Sequence, residues 1–243
     1  MLPFNDKIIL YSLDHSRSTR VVWLLESLDL PYEIKAVKRD EKYRAPQSLK
    51  KVHPLGRVPI VEIHSDGAKP IVLAESGHIC RYLIERYDTE KKFKFLDPID
   101  QVLADYYGYY VEGTFHPLLV AVTVLAKTYG NAPYVVKPML SVANKILKKF
   151  YYVPEVEANL SFLDEQLAAN GTGYFVGNKY SIAEILLSFT VAEKIYRNKE
   201  EFEEWTAINT AKYKHLAKWA QALLDDQSYI KTKAAEEKVV AEI

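Results

Sequence analysis

The sequence of 243 residues has a single cysteine, Cys80. One cysteine excludes an intramolecular disulfide framework and a cysteine-rich zinc site, and it suits a reducing compartment. Neither charge is in excess, since 32 basic residues balance 32 acidic ones. A net charge of zero supplies no overall field for holding nucleic acid or an anionic membrane. We therefore expect charge effects to be local and expect no nucleic-acid partner.

A long apolar run is also missing. The most apolar stretch, residues 117–126, has roughly half of the ~20 residues that a membrane-spanning helix needs. The N-terminal segment Met1–Asp6 lacks the basic stretch and long apolar run of a signal peptide. We expect a soluble protein that is not secreted and has no transmembrane segment.

The first 90 residues alternate between strand and helix patterns. The predicted elements are a strand at Ile8–Tyr11, a helix from Val21, a strand at Tyr32–Val37, a hairpin of residues 58–63 and 71–73, and a helix through residues 79–87. The order β-α-β, then β-β-α, is that of a thioredoxin-like domain with its first two strands parallel.

No strand pattern follows Pro98, and helical periodicity dominates the remaining sequence. The predicted helices span residues 102–115, 118–127, 135–150, 156–168, 182–196 and 213–224. We therefore predict a thioredoxin-like α/β domain at residues 1–90, a linker at 91–98 and an all-helical domain at 99–243. Within the helical half, Ser181 and Glu184 have the spacing of a capping box, which indicates a role in folding.

A polar turn, Ser16–Arg20, lies between the first strand and the first helix. A hydroxyl and backbone N–H groups would there face one point at a helix N-terminus, where an anion is stabilised. A plain helix cap by Ser16 or Ser18 explains the same residues. The turn by itself leaves both interpretations open.

Two further motifs follow in order. Val58-Pro59 precedes a strand, where an ordinary trans proline also fits. Glu75-Ser76 stands where a strand gives way to a helix, so Ser76 suits either a bound carboxylate or a plain helix cap. Between Lys35 and Arg57 there are eight lysines and arginines. Such a basic segment favours the approach of an anion, although a solvated loop is an equally good interpretation.

These three motifs, their order and the all-helical second half resemble the cytosolic glutathione transferases. The chain is similar to the serine-type phi, theta and delta classes, and its 14–17 and 44–46 segments are similar to fungal members. The resemblance implies conjugation of the glutathione thiolate to hydrophobic electrophiles in detoxification, with glutathione peroxidase side activity. Glutathione is then a co-substrate, and neither a cofactor nor a metal is implied.

For the sulfur of glutathione, the resemblance implies that Ser16 donates a hydrogen bond and stabilises the thiolate. Ser18 is the second candidate donor, because the sequence pattern places the start of the helix to within a few residues, and Tyr11 is the third. The resemblance further implies a cis Val58-Pro59 bond, with the Val58 backbone pairing with the cysteinyl backbone of glutathione.

The rest of the tripeptide has its own implied partners. Ser76 would bind the γ-glutamyl carboxylate, and Glu75 would pair with the adjacent ammonium. Arg44 is the preferred partner of the glycyl carboxylate, and the other candidates are Arg57, Lys51 and His53.

An aromatic stripe near the start of the helical half would line the electrophile site: Tyr107, Tyr110 and Phe115, with Tyr106 beside them. Aromatic residues at helical spacing more often form a core. We expect His116 to be structural or at the surface and Cys80 to be an inert, buried thiol.

The resemblance also implies a homodimer in the cytoplasm, and some fungal relatives associate with the endoplasmic reticulum. The alternative function is a non-catalytic binding or scaffold protein on the same fold, because a fold does not determine a function. A glutathione-dependent isomerase is a third hypothesis, which no particular residue favours.

Overall fold

The computed structural model describes residues 5–40 and 44–241. They form two compact units, one of Met1–Lys94 with Leu224–Ile243 and one of Phe95–Leu223. Residues 1–4, which make up most of the N-terminal segment Met1–Asp6 that lacks a signal-peptide pattern, lie outside the described residues.

The first unit contains a four-stranded mixed sheet. Its elements are β1 (Lys7–Leu13), α1 (Ser18–Ser27), β2 (Tyr32–Val37), β3 (Ile60–His64), β4 (Ile71–Ala74) and α2 (Ser76–Tyr87). The strand order is β2-β1-β3-β4, with β2 parallel to β1 and with β3 antiparallel to both β1 and β4. This arrangement confirms the predicted thioredoxin-like order.

Apolar side chains explain why these segments pack as they do. In α1, the residues from Val21 to Leu25 are all fully buried. Ile79 and Leu83, four residues apart on one face of α2, are fully buried as well. The two helices thereby cover apolar strand residues such as Leu10 and Ile60, which are also fully buried.

The second unit is helical, as predicted. Its helices are α3 (Pro98–Tyr110), α4 (His116–Asn131), α5 (Lys137–Leu147), α6 (Val153–Asn170), α7 (Ile182–Leu187), α8 (Lys199–Thr206) and α9 (Lys214–Leu224). π-helical turns extend three of them, at Val111–Phe115, Lys148–Tyr152 and Ser188–Arg197. Prolines stand in the first turns of α3, α4, α5 and α6, where a missing N–H costs little.

By length and composition, the continuous helix Pro98–Asn131 is the one helix in the described part of the chain that could cross a membrane. It is longer than the apolar stretch of the sequence because α3, the π-helical turn and α4 continue without a break. Its mean hydropathy is 1.2, and 22% of the apolar window is buried. Core helices of soluble proteins pass the same test, so this is weak evidence for a membrane span.

The capping box is present at the start of α7. Ser181 Oγ accepts the Ala183 N–H at 3.1 Å, and Glu184 Oε2 accepts the Ser181 N–H at 2.8 Å. The other carboxylate oxygen of Glu184 accepts the Phe175 N–H at 2.8 Å. The box therefore ties the preceding loop to the helix, in agreement with the predicted folding role.

The C-terminal helix α10 (Gln227–Ala241) packs with the first unit, whereas the predicted boundary places all of residues 99–243 in the helical domain. The contact is made with α1: Trp23 Nε1 donates to Ser228 Oγ at 2.8 Å, and the Trp23 and Tyr229 rings meet edge to face at 5.3 Å. Trp23 and Tyr229 are both fully buried. The apolar surface of α1 around Trp23 is thus covered by a helix that lies about 200 residues further along the chain.

Candidate functional site

Three motifs meet at one edge of the sheet. The carboxyl end of β1 leads into the Ser16 turn, and Tyr11 near that end pairs with Ile60 at the start of β3. Ile60 in turn pairs with Ala74, the last residue of β4, after which Glu75 begins the next motif. The register therefore brings the Ser16 turn, Val58-Pro59 and Glu75-Ser76 together, although they are distant in sequence.

Ser16 and Ser18 form a pair at the N-terminus of α1. Their Oγ atoms lie 2.9 Å apart, and the Ser18 backbone N–H donates to Ser16 Oγ at 3.2 Å. Ser16 is partly exposed, whereas Ser18 is 0% exposed. Of the two candidate sulfur donors, Ser16 is thus the more accessible to a ligand.

Tyr11, the third candidate donor, has a different environment. It lies within β1, paired with Lys35 of β2, and the Lys35 ammonium lies 5.4 Å from the centre of its ring. The turn that opens α1 begins several residues later in the chain. The geometry therefore favours Ser16 over Tyr11 as the residue at the helix N-terminus.

The Val58-Pro59 peptide bond is cis, as the resemblance implied. The paired part of β3 starts at Ile60, so the backbone of Val58 stands outside the strand ladder. Pro59 is buried and Val58 is half-buried. A bound peptide could reach the Val58 N–H and C=O and pair with them like an added strand.

Ser76 is the first residue of α2 and is 1% exposed. Its Oγ accepts a hydrogen bond from Arg20 Nη1 at 3.0 Å. The side chain of Arg20 is fully buried. A cation therefore lies directly behind the hydroxyl, and the Ser76 proton can still be donated to a carboxylate. The sequence interpretation assigned Arg20 no role, although a charged residue in an apolar helix is a signal for one.

Glu75, which precedes α2, has the backbone angles φ 70° and ψ 115°. Non-glycine residues at positive φ cost on the order of 1–3 kcal/mol and cluster at functional sites. The side chain of Glu75 is exposed, and its carboxylate has no hydrogen-bond or ion-pair partner among residues 5–40 and 44–241. The carboxylate is thus available to a cationic group of a ligand.

The basic segment is only partly described, because Glu41 and Lys42 lie outside the described residues. Arg44 is exposed, and its backbone N–H donates to Asp40 Oδ1 at 2.8 Å. Arg57 is exposed next to the cis peptide bond.

The remaining basic candidates occupy the same loop. Lys51 is exposed at the end of a short 3₁₀ helix, and His53 Nδ1 accepts the Leu55 N–H. Arg39, which the sequence interpretation left out, donates to the Asp14 carbonyl at 3.1 Å. This hydrogen bond attaches the basic segment to the turn that contains Ser16.

The aromatic residues predicted for the electrophile site are mostly core residues of the helical unit. Tyr107 and Phe115 are 4% and 0% exposed. Tyr107 packs on Phe175 at 5.1 Å, and burial raises the pKa of Tyr107 to about 12. The half-buried Tyr110 stacks on Phe115 and donates to Asn159 Oδ1 at 2.5 Å. For Tyr107 and Phe115 the alternative interpretation, a core stripe, fits the structure, because their surfaces are already occupied.

Two other residues from the sequence interpretation are placed by the structure. Cys80 is fully buried in α2, in agreement with the prediction of a buried thiol. His116 is half-buried and its Nδ1 lies 3.1 Å from Thr190 Oγ1, which is a structural contact. Within residues 5–40 and 44–241, no group of three or more histidines, cysteines or carboxylates is placed to hold a metal ion.

Comparison with known proteins adds to this geometry. Residues 16–86 match the family model described as glutathione S-transferase, N-terminal domain, and residues 128–225 match the corresponding C-terminal domain. The chain is 36% identical to glutathione S-transferase 1 of Saccharomyces cerevisiae over 228 residues, which cover 91% of this chain and 92% of the relative. It is 29% identical to glutathione S-transferase 3 of Schizosaccharomyces pombe, over 90% of this chain and 83% of the relative.

Solved structures show the same fold. A glutathione S-transferase from Actinobacillus pleuropneumoniae has a TM-score of 0.69 and 26% identity, over 94% of this chain and 92% of that one. A glutathione transferase homologue from Lodderomyces elongisporus, solved with two glutathione molecules per subunit, has a TM-score of 0.71 and 21% identity, over 94% and 98% of the chains. Because the sequence similarity extends over both domains and nearly the whole length, this chain belongs to the glutathione S-transferase family of enzymes.

Proposed function

We propose that this chain binds glutathione at the sheet edge formed by Ser16, Val58 and Ser76 and transfers its thiolate to hydrophobic electrophiles. The observation that carries the proposal is the convergence of these residues, with Arg20 joining the first motif to the third. A relative from Lodderomyces elongisporus was solved with glutathione bound, which supports the choice of ligand.

The Ser16 turn has the right chemistry for a thiolate. A free thiol with a pKa of ~8.5 is only about 3% ionised at neutral pH, and lowering this pKa by about two units takes ~2.7 kcal/mol. A hydrogen bond to a charged group contributes roughly 1.5–3 kcal/mol, and a helix N-terminus adds on the order of 0.3–1 kcal/mol. The Ser16 hydroxyl and the N-terminus of α1 are together sufficient.

The other groups would fix the tripeptide in place. The Ser76 hydroxyl, backed by Arg20, would donate to the γ-glutamyl carboxylate, and Glu75 would pair with the neighbouring ammonium. The Val58 backbone would pair with the cysteinyl residue. Arg44 and Arg57 are exposed cations for the glycyl carboxylate. Holding the sulfur at a fixed point is itself catalytic, because it removes the entropic cost of bringing the reactants together.

In the proposed reaction the sulfur forms a bond to an electrophilic carbon. With chlorodinitrobenzene, the ring carbon that bears chlorine is attacked and chloride leaves with the bonding pair. In the proposed side activity, two glutathione molecules reduce an organic hydroperoxide to an alcohol and water and become the disulfide. Once the thiolate has formed, neither reaction needs a general base from the protein: the thiol proton has gone to solvent, and in the side activity solvent protonates the oxygen anions released from the hydroperoxide.

Calorimetry with glutathione tests the proposal, followed by conjugation assays with chlorodinitrobenzene. We expect Ser16→Ala to keep most of the glutathione affinity and to lose most of the conjugation rate. Ser27→Ala is the matched control, because Ser27 lies at the far end of the same helix and donates to the Trp23 carbonyl. A parent protein that does not bind glutathione would contradict the proposal. Binding without any conjugation would favour the alternative, a non-catalytic binding protein.

We also propose a homodimer that forms through α3. Ile99, Val102, Leu103 and Tyr106 lie at helical spacing along this helix and are between 46% and 68% exposed. An apolar stripe of this kind is typical of an interface. Light scattering should give twice the chain mass, and Leu103→Glu should give the mass of one chain.

For localisation, we propose the cytoplasm, with binding to an internal membrane surface. Met139, Val142 and Ile146 share one face of α5 and are more than half exposed, and the exposed Lys145 and Lys149 flank them. Such a helix can lie at a lipid interface. Flotation with anionic vesicles should carry the protein upward, and Val142→Glu should reduce the floated fraction.

A further inference from the structure

The Ser18 hydroxyl is fully buried next to Ser16, and the direction of the hydrogen bond between the two hydroxyls decides which proton is left for a ligand. Its Oγ lies 2.9 Å from Ser16 Oγ, which is its one hydrogen-bonding partner among residues 5–40 and 44–241. Each hydroxyl has a single proton, and either of the two can donate across this distance.

Two arrangements of the protons are possible. If Ser16 donates to Ser18, then the proton of the buried Ser18 hydroxyl has no acceptor in the described structure, which is unfavourable. If Ser18 donates to Ser16, then the Ser18 proton has Ser16 Oγ as its acceptor. The partly exposed Ser16 hydroxyl can then turn its own proton toward a ligand. The second arrangement satisfies the buried Ser18 donor.

In that arrangement Ser16 Oγ accepts two hydrogen bonds. One comes from the Ser18 hydroxyl, and the other comes from the Ser18 backbone N–H at 3.2 Å. Accepting hydrogen bonds polarises a hydroxyl and strengthens the bond that it donates, by about 10–30% per bond. The two bonds also fix the rotation of the Ser16 hydroxyl, so that its proton points away from Ser18.

We infer that Ser18 is a positioning residue, which directs the Ser16 proton to the sulfur of glutathione without touching the sulfur itself. The inference rests on the proposed function, since it needs a thiolate at Ser16. In the motif Ser16-x-Ser18, the accessible Ser16 hydroxyl then donates to the ligand, and the buried Ser18 hydroxyl donates to Ser16. Ser18 accordingly affects the acidity of the bound thiol and has little effect on the affinity for glutathione.

The experiment is the pH profile of kcat/KM for chlorodinitrobenzene conjugation, together with the ultraviolet absorbance of bound thiolate as a function of pH. Ser18→Ala should raise the pKa of the bound thiol and reduce kcat/KM about twofold to fourfold below the thiol pKa, because it weakens the hydrogen bond from Ser16 to the sulfur without removing it. Above the pKa the parent and variant rates should converge. Calorimetric Kd values for the non-ionising analogue S-methylglutathione should agree within about twofold.

Three variants serve as controls. Ser18→Thr retains a hydroxyl and should restore most of the parent profile. Ser27→Ala makes the same chemical change at the other end of α1 and should leave the profile unchanged. In the Ser16→Ala background, Ser18→Ala should have no further effect, because the donor that it directs is absent.

Other outcomes would overturn the inference. A larger loss of thiolate in Ser18→Ala than in Ser16→Ala would make Ser18 the direct donor. A lower melting temperature or weaker S-methylglutathione binding without a change of thiol pKa would give Ser18 a structural role only. Additive effects in the double variant would mean that the two hydroxyls act independently. Failure of the parent protein to bind glutathione would instead disprove the proposed function, so the two failures are distinguishable.

Discussion

Arg20 Nη1 donates to Ser76 Oγ at 3.0 Å, which joins helix α1 to helix α2 inside the first unit. Both residues are buried, at 0% and 1% exposure. The hydrogen bond connects the turn proposed for the sulfur with the residue proposed for the γ-glutamyl carboxylate. The Arg20 side chain therefore holds the Ser76 hydroxyl in place from inside the unit.

Arg20→Lys should weaken glutathione binding by about tenfold or more, because an ammonium keeps the charge but loses the planar fork of donors. Isothermal calorimetry measures the change. Ser76→Ala and the double variant complete a cycle, and we expect a coupling of about 1 kcal/mol between the two positions. Strictly additive effects would show that the contact plays no part in binding.

Glu75→Gln should weaken glutathione binding by about threefold to tenfold, since the carboxylate loses an ammonium partner without a change in backbone geometry. Calorimetry with a glutathione analogue that lacks the amino group supplies the control. The parent protein and the variant should bind that analogue equally well. If the variant loses a similar amount of affinity for both ligands, the substitution acts through the positive-φ backbone of Glu75, and the carboxylate has no ammonium partner.

The stability of the helical unit should depend on pH through Glu184. Burial raises the pKa of this carboxyl from 4.5 to about 7, although backbone N–H groups donate to it. The folded state then binds more protons than the unfolded state between these two values, so the free energy of unfolding falls as the pH rises from about 4.5 to about 7. The total change is roughly 3 kcal/mol at most.

Thermal unfolding at several pH values tests this dependence. Glu184→Gln should lower the stability at acidic pH, where it loses an acceptor oxygen, and should remove the decline between pH 4.5 and 7. Glu165→Gln is the control, because Glu165 is exposed on α6. A parent protein whose stability is flat across this range would contradict the prediction.

Tyr229→Ala should destabilise the first unit by about 3–5 kcal/mol, the usual cost of removing a large buried side chain. The loss leaves a cavity against Trp23, whose ring lies 5.3 Å away. Urea unfolding measures the change, and tryptophan fluorescence reports on the altered environment. Ile230→Ala on the exposed side of α10 should cost much less. Equal costs would mean that α10 contributes little to the stability of the unit.

Local sequence determined much of this protein. Alternating and helical apolar patterns predicted the β-α-β and β-β-α segments, because side-chain burial repeats every two residues in strands and every 3.6 in helices. Ser181 and Glu184 predicted a capping box, since all of its hydrogen bonds lie within four residues. The polar turn before α1 was identified from its hydroxyls for the same reason: the groups involved are neighbours in the chain.

Charged segments were harder to predict. Helix α8 and helix α10 were missed, because both are rich in lysine and glutamate and carry only short apolar patterns. Their stability depends on packing elsewhere: Phe202 of α8 and Tyr229 of α10 are buried. Helices of this kind form when a partner surface is present, and that surface is not encoded beside them.

Only the tertiary structure decided which residues meet. It separated the exposed Tyr106 from the buried Tyr107, although both belong to one aromatic stripe. It brought Arg20 to Ser76 across 56 positions and Trp23 to Ser228 across 205. The sequence by itself determined where the turns, caps and apolar faces lie, because those depend on neighbouring residues. The packing of the sheet and helices left Ser16 partly exposed and buried Ser18, because burial depends on contacts between distant segments.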